Sequence, residues 1–149
     1  MRVVVQRVTE ASVAIAGGEV GRIGRGLLLL VGIEKGDGEK EIEFMADKVL
    51  HLRVFPDELG KMSLDVREVR GEILSVSQFT LAARNKKGRR PDFTNAESPE
   101  RAQALYSLFN GLLAAAVPLA TGEFGAMMSV RSVNDGPVTI ILEKITAAV

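Results

Sequence analysis

The chain has no cysteine, which excludes disulfides, thiolate-held metals and a cysteine nucleophile and is compatible with a reducing cytoplasm. It has a single histidine, His51, predicted near the end of the first helix. There a histidine ordinarily plays a structural part beside the C-terminal dipole, so a Ser-His-Asp relay has no base. No spacing of the His-x-x-x-His kind occurs, and neither a structural nor a catalytic metal is expected. Net charge is lacking too: 19 Lys and Arg balance 19 Asp and Glu, so any polyanion must be met by a local patch. The apolar run Leu27 to Val31 is far too short to span a bilayer. The start, Met1 to Val8, alternates apolar residues with Arg2, Gln6 and Arg7, unlike a signal peptide. A cytoplasmic protein with no membrane partner is expected.

What is present fits one domain over residues 1–149, with 46% hydrophobic content and a mean hydropathy of +0.15, enough for a sizeable core. Val-rich Arg2 to Val8 reads as a strand, and Ala11 to Ile15 with Val20 to Ile23 flank Gly17-Gly18 like a hairpin. Leu27 to Ile33 suits a strand buried on both faces, broken by Gly36 and Gly38. Glu39 to Leu52 places Ile42, Met45, Val49 and Leu52 on one helical face, with acids in the first turn. Arg53 to Phe55 reads as a short strand, Pro56 to Lys61 as a turn, and Glu72 to Ala82 as a long strand. Ser98-Pro99-Glu100 opens a second helix running to about Ala116, with a stripe of Ala102, Leu105, Phe109, Leu112 and Ala116 closed by Pro118 and Gly122. Ala126 to Val133 and Val138 to Ile145 read as two last strands joined through Asn134 to Pro137. Strands dominate and two helices interrupt them at wide intervals. The expected class is therefore α+β: a sheet or barrel with both helices packed on one side, not a doubly wound nucleotide fold.

Gly24-Arg25-Gly26 and Gly36-Asp37-Gly38 resemble phosphate loops only superficially, for neither continues to a third glycine or a Lys-Thr pair. Three other stretches carry more chemistry. Ser77-Gln78-Phe79-Thr80 gathers two hydroxyls and an amide at the end of an apolar strand, where they either bond the neighbouring turn or bind an oxyanion. Gly136-Pro137 joins two predicted strands as a turn. Arg84-Asn85-Lys86-Lys87-Gly88-Arg89-Arg90 holds five cations in seven residues, either as a solvated loop or as a phosphate contact.

Taken jointly and in this order, Ser77-Gln78-Phe79-Thr80 and Asn134-Asp135-Gly136-Pro137-Val138-Thr139 make the chain resemble the D-aminoacyl-tRNA deacylases. The likeness extends to Gln6-Arg7-Val8, Gly60-Lys61-Met62, Arg90-Pro91 with Phe93, and Ser98-Pro99, and so covers essentially the whole sequence. The resemblance implies a cofactor-free ester hydrolase that frees a D-amino acid, or glycine, from the 3′ end of tRNA as chiral proofreading. It implies a homodimer with shared sites, in which Gly-cis-Pro carbonyls of one subunit, Gly136 and Pro137, enter the partner's Ser77 to Thr80 pocket. Two parallel carbonyls accept the α-ammonium and leave no room for an L side chain.

Catalysis would lean on main-chain amides near Phe79 and Thr80, helped by the 2′-hydroxyl of the terminal adenosine. A covalent Thr80 nucleophile is the alternative, without a visible base. Arg7 would brace the Gly136-Pro137 turn, unless it is an outward-facing strand arginine. Phe124 matches a family aromatic near the pocket, whereas Met127 stands where some relatives carry a carboxylate, so no essential acid is expected there. Arg84, Lys86, Lys87, Arg89 and Arg90 would meet tRNA phosphates; DNA is not an expected partner. The rival readings are a non-catalytic nucleic-acid-binding module and a small-molecule esterase using the same oxyanion site.

Overall fold

The computed structural model describes residues 1–145. Its backbone is organised by β1 (Arg2–Ile15), a single strand of 14 residues in place of the two segments expected. The exposed pair Thr9 and Glu10 marks where they join, and the irregularity is absorbed as register shifts against the last strand between Gln6 and Val8 and between Val8 and Glu10. β2 (Gly18–Ile23) returns along the second half of β1 and β3 (Gly26–Gly32) along the first half, both antiparallel. β8 (Ser129–Glu143) pairs antiparallel along nearly the whole of β1. It runs straight through Asn134 to Pro137, where a break was expected, because β1 offers partners on both sides of that stretch. Asn134 Oδ1 accepts the Val138 amide at 3.0 Å inside it.

β3 pairs in parallel with β6 (Glu72–Ser77), and β6 in parallel with β7 (Leu119–Thr121), a strand with no signal in the sequence pattern. The sheet order is β2-β1-β3-β6-β7 with β8 on β1. The sheet curls until its two ends meet: a Cβ placed on Gly21 of β2 would lie 2.9 Å from the Thr121 carbonyl oxygen of β7. The result is a nearly closed barrel. A second sheet of two short strands, β4 (Phe55–Pro56) and β5 (Met62–Leu64), replaces the Arg53 to Phe55 strand. Its turn is held by Asp57, whose Oδ1 accepts the Leu59 and Lys61 amides and whose Oδ2 accepts the Ser63 hydroxyl.

α1 (Glu39–Leu50) and α2 (Pro99–Ala114) pack on one face of the sheet. Ile42, Met45 and Val49 of α1 are fully buried, together with Phe109 and Leu113 of α2 and Val3, Leu27, Leu29 and Ile73 of the sheet. Each such side chain contributes about 1.5–3 kcal/mol on burial. Leu52 falls outside α1. In α2 the buried stripe turns toward Tyr106 and Leu113, with Leu112 only half-buried and Ala116 exposed beyond the helix end. Ser98 begins α2 through its carbonyl, which accepts the Ala102 amide at 2.8 Å, and not through its side chain. The other face of the sheet closes on Val8, Val13, Ile23, Leu28, Leu74 and Val76, so β3 and β6 are buried on both sides, as a continuous apolar run requires. Among the described residues no helix is long and apolar enough to cross a membrane.

Candidate active site

β6 ends at Ser77 and not at Ala82, because β3 beside it ends at Gly32 and offers no further ladder. The Gln78 amide makes the last bond, to the Val31 carbonyl at 2.7 Å, and the chain then folds into a 3₁₀ turn, Phe79–Ala82. Within it the Leu81 amide donates to the Gln78 carbonyl at 3.2 Å and the Ala83 amide to that of Thr80 at 3.0 Å. The amides of Phe79 and Thr80 open the turn and have no carbonyl one turn behind them to bond. Gln78 Nε2 donates to Thr80 Oγ1, tying the two polar side chains of the turn together.

This strand end forms the floor of a cleft of about 580 Å³ lined by Ser77, Gln78, Phe79 and Thr80. Ala96, Glu97 and Ala102 form one wall, and Phe124, Met127, Met128 and Val130 another. Phe124 is set by Tyr106, with ring centroids 6.0 Å apart, and Tyr106 is itself fixed by its hydroxyl donating to the buried Ser75 carbonyl at 2.8 Å. Phe79 is 59% exposed and meets Phe93 edge-on at 5.2 Å. Met127, at the rim, is 91% exposed.

The cleft is mostly apolar and, among the described residues, Glu97 is the one charged residue lining it. Its carboxylate is occupied by the Ser98 amide at 2.7 Å and by Arg101 Nε at 3.2 Å, so it is a poor base for Ser77 or Thr80. His51 stands at the end of α1 with Nδ1 2.8 Å from the Asp47 carbonyl, and it does not line the cleft. Among the described residues the Phe79 and Thr80 amides have no hydrogen-bond partner, and they lie at the mostly apolar end of the cleft; free backbone amides can stabilise an oxyanion.

Arg7 is not an outward-facing strand arginine. Its side chain is 11% exposed; Nε donates to the Asp135 carbonyl at 3.1 Å and lies 3.2 Å from the Asp135 carboxylate, while Nη1 donates to the Val54 carbonyl at 2.7 Å. Gly136 and Pro137 are exposed beside it, joined by a cis peptide, and neither lines the cleft of its own chain. The structure therefore gathers Ser77 to Thr80 with Phe124, and separately gathers Arg7 with Gly136 and Pro137.

The basic stretch is an exposed loop closed by mutual backbone bonds between Arg84 and Asp92, at 2.8 and 3.0 Å. The Asp92 carboxyl is held below its usual range, first by the Thr94 amide and hydroxyl and then by the charges of Arg84 and Lys35. Among the described residues, Arg84, Lys86, Lys87, Arg89 and Arg90 are in no ion pair. Through Phe93 the loop adjoins the mouth of the cleft. The walls at Ala96 to Ala102 and Met128 to Val130 escaped the sequence reading, since small and apolar side chains carry no chemical signature until loops remote in sequence face each other.

The D-Tyr-tRNA(Tyr) deacylase family pattern matches residues 4–143. The chain is 58% identical over 144 residues to the D-aminoacyl-tRNA deacylase of Brevibacillus brevis, covering 96% of this chain and 99% of that one. A solved structure described as a c-Myc DNA unwinding element binding protein superposes with a TM-score of 0.93 at 47% identity, over 98% of this chain and all of that one. A structure of a probable eukaryotic D-amino acid tRNA deacylase shares the fold, with a TM-score of 0.81 at 18% identity over 95% and 97% of the two chains.

Proposed function

The chain belongs to the D-Tyr-tRNA(Tyr) deacylase family, and from that premise we propose that it hydrolyses the ester joining a D-amino acid to the 3′ end of tRNA. It is a carboxylic ester hydrolase of the D-aminoacyl-tRNA deacylase class. The observation that carries the chemistry is the apolar cleft at the end of β6, where, among the described residues, the amides of Phe79 and Thr80 have no partner and no base stands beside a hydroxyl. Water adds to the ester carbonyl carbon, the oxyanion is held by those two amides, and collapse of the intermediate expels the ribose oxygen, which leaves with a proton. The 2′-hydroxyl of the terminal adenosine orients the water in place of a protein base.

Chirality is checked by Gly136 and Pro137 of a second copy, entering this cleft and accepting the substrate's α-ammonium on their carbonyls. The separation of that pair from its own cleft, and its brace by Arg7, support this arrangement. So do the exposed apolar side chains of Met127 at the cleft rim and of Val130 and Val133 on β8, which a second copy would cover. Because one face of Cα is tested and no side chain is gripped, many D residues and glycine are substrates. Arg84, Lys86, Lys87, Arg89 and Arg90 meet tRNA phosphates at the mouth. The working place of such an enzyme is the cytoplasm.

The test is amino-acid release from matched D- and L-tyrosyl-tRNA, with Pro137→Ala in parallel. Rapid loss of the D form alone, with the variant admitting the L form, is expected. Equal loss of both by the unaltered protein would discard the chiral gate. A second reading, binding of nucleic acid without turnover, is favoured by the unpaired basic loop and by the description of the DNA unwinding element binding protein that this chain resembles. Retention of both aminoacyl-tRNAs without release would select it.

A further inference from the structure

Arg2 stands in register between Gly32 of β3 and Glu143 of β8. Its side chain reaches out of the sheet to the 3₁₀ turn, where Nη1 donates to the Leu81 carbonyl at 2.7 Å. That carbonyl lies at the end of a helical turn, where no amide of the turn can reach it. Arg2 Nε lies 2.8 Å from Glu143 Oε1 as an ion pair without hydrogen-bond geometry. Glu143 thus offsets the guanidinium charge while Nη1 addresses the turn. Gly32 complements Arg2 from the neighbouring strand: a Cβ there would fall 2.8 Å from Leu81 Cβ and 3.2 Å from the Gln78 carbonyl oxygen. Only a residue without a side chain lets the turn rest this closely on β3. The turn is therefore held at its entrance by the Val31 carbonyl, on its underside by Gly32 and at its exit by Arg2.

We infer that Arg2 is a positioning residue, which, acting with the bare backbone at Gly32, fixes where the Phe79 and Thr80 amides stand against the ester carbonyl. Arg2 does not line the cleft and touches no substrate; it acts through Leu81. The inference rests on the reading of this turn as the oxyanion site. Donors must be preorganised to about half an ångström to stabilise a transition state, and a displacement of about 1 Å costs on the order of 10²-fold in rate. Substrate binding through the basic loop and the Phe124 wall does not depend on Arg2, so its removal is read in kcat and not in KM.

The experiment compares Arg2→Met, Arg2→Lys and Glu143→Gln with the unaltered protein, by steady-state kinetics on D-tyrosyl-tRNA and by amide hydrogen exchange without substrate. Arg2→Met is expected to lower kcat by at least about 10-fold with KM within about 2-fold. Arg2→Lys, with one donor group in place of a fork, should fall between Arg2→Met and the unaltered protein. Glu143→Gln keeps the bond to Leu81 and should stay within about 3-fold. In Arg2→Met the Leu81 and Ala83 amides should exchange on the order of 10-fold faster while those of α1 are unchanged. An unchanged kcat in Arg2→Met would overturn the inference, as would loss of protection spread across α1 and β3. The exchange arm needs no activity. Failure of the unaltered protein to release D-tyrosine would instead overturn the deacylase reading, leaving the Arg2 bond to be judged by exchange alone.

Discussion

Thr80 brings a hydroxyl to the floor of the cleft, and that hydroxyl is already engaged as acceptor for Gln78 Nε2. In the proposed reaction the group that matters for the oxyanion is its main-chain amide, which any residue supplies. Thr80→Ala should therefore keep D-tyrosyl-tRNA release within about 10-fold, well short of the roughly 10²–10³ lost when an oxyanion donor is removed. Activity abolished in a variant with an unchanged circular dichroism spectrum would make Thr80 a nucleophile. Arg7 presents the opposite case, a side chain whose fork does what a shorter cation would not. Arg7→Lys forfeits a charge-assisted bond to either Asp135 or Val54, each worth about 1.5–3 kcal/mol. Urea unfolding should register a loss of that order, and the ratio of D to L release should fall as the Gly136-Pro137 segment loosens. A destabilised variant with an undiminished ratio would reduce Arg7 to a structural brace.

At the scale of single elements, the loop from Arg84 to Arg90 separates charge from the cleft. Lys86→Gln with Lys87→Gln removes two of its five unpaired cations. The slope of log affinity for tRNA against log salt should then flatten by about 1–2, with the D to L ratio untouched. An unchanged slope would return the loop to the solvent. The turn before β6 gives an acid-limb prediction. Burial pushes the Asp65 carboxyl up, but the Arg67 guanidinium and the Glu68 and Arg67 amides outweigh it and hold the group below its ordinary value. A lowered folded value means the contribution is complete above the unfolded value, about 3.9, and is lost as pH falls through the folded value below it. Asp65→Asn should flatten the fall of Tm below about pH 4; an unaltered acid limb would show that this carboxylate does not link protons to folding.

For the whole molecule the decisive quantity is whether one chain owns a complete site. Gly136 and Pro137 stand outside their own cleft while Met127, Val130 and Val133 lie exposed along its rim and on β8. Val133→Asp introduces a charge into the surface that a second copy would cover. It should shift the protein toward monomer in sedimentation at micromolar concentration and lower release per chain in step. A dimer that persists with full activity would place the interface elsewhere.

Much of the architecture is legible in the sequence. Helix periodicity found α1 and α2 because burial repeats every three to four residues. The run Leu27 to Val31 announced a strand covered on both faces, and the Ser77 to Thr80 and Gly136-Pro137 stretches marked the family. The pattern misled where local rules met a longer partner. A turn-like Asn134 to Pro137 did not end β8, since β1 pairs on either side of it, and Phe79 to Ala82 left the sheet because β3 stopped at Gly32. Nor did periodicity reveal that β7 exists, that the sheet closes through Gly21 against Thr121, or that Arg2 reaches Leu81. Composition and periodicity are set by each segment's own burial and are written locally. Closure, cleft walls and long-range bonds depend on which remote segments meet, and only the folded chain brings them together.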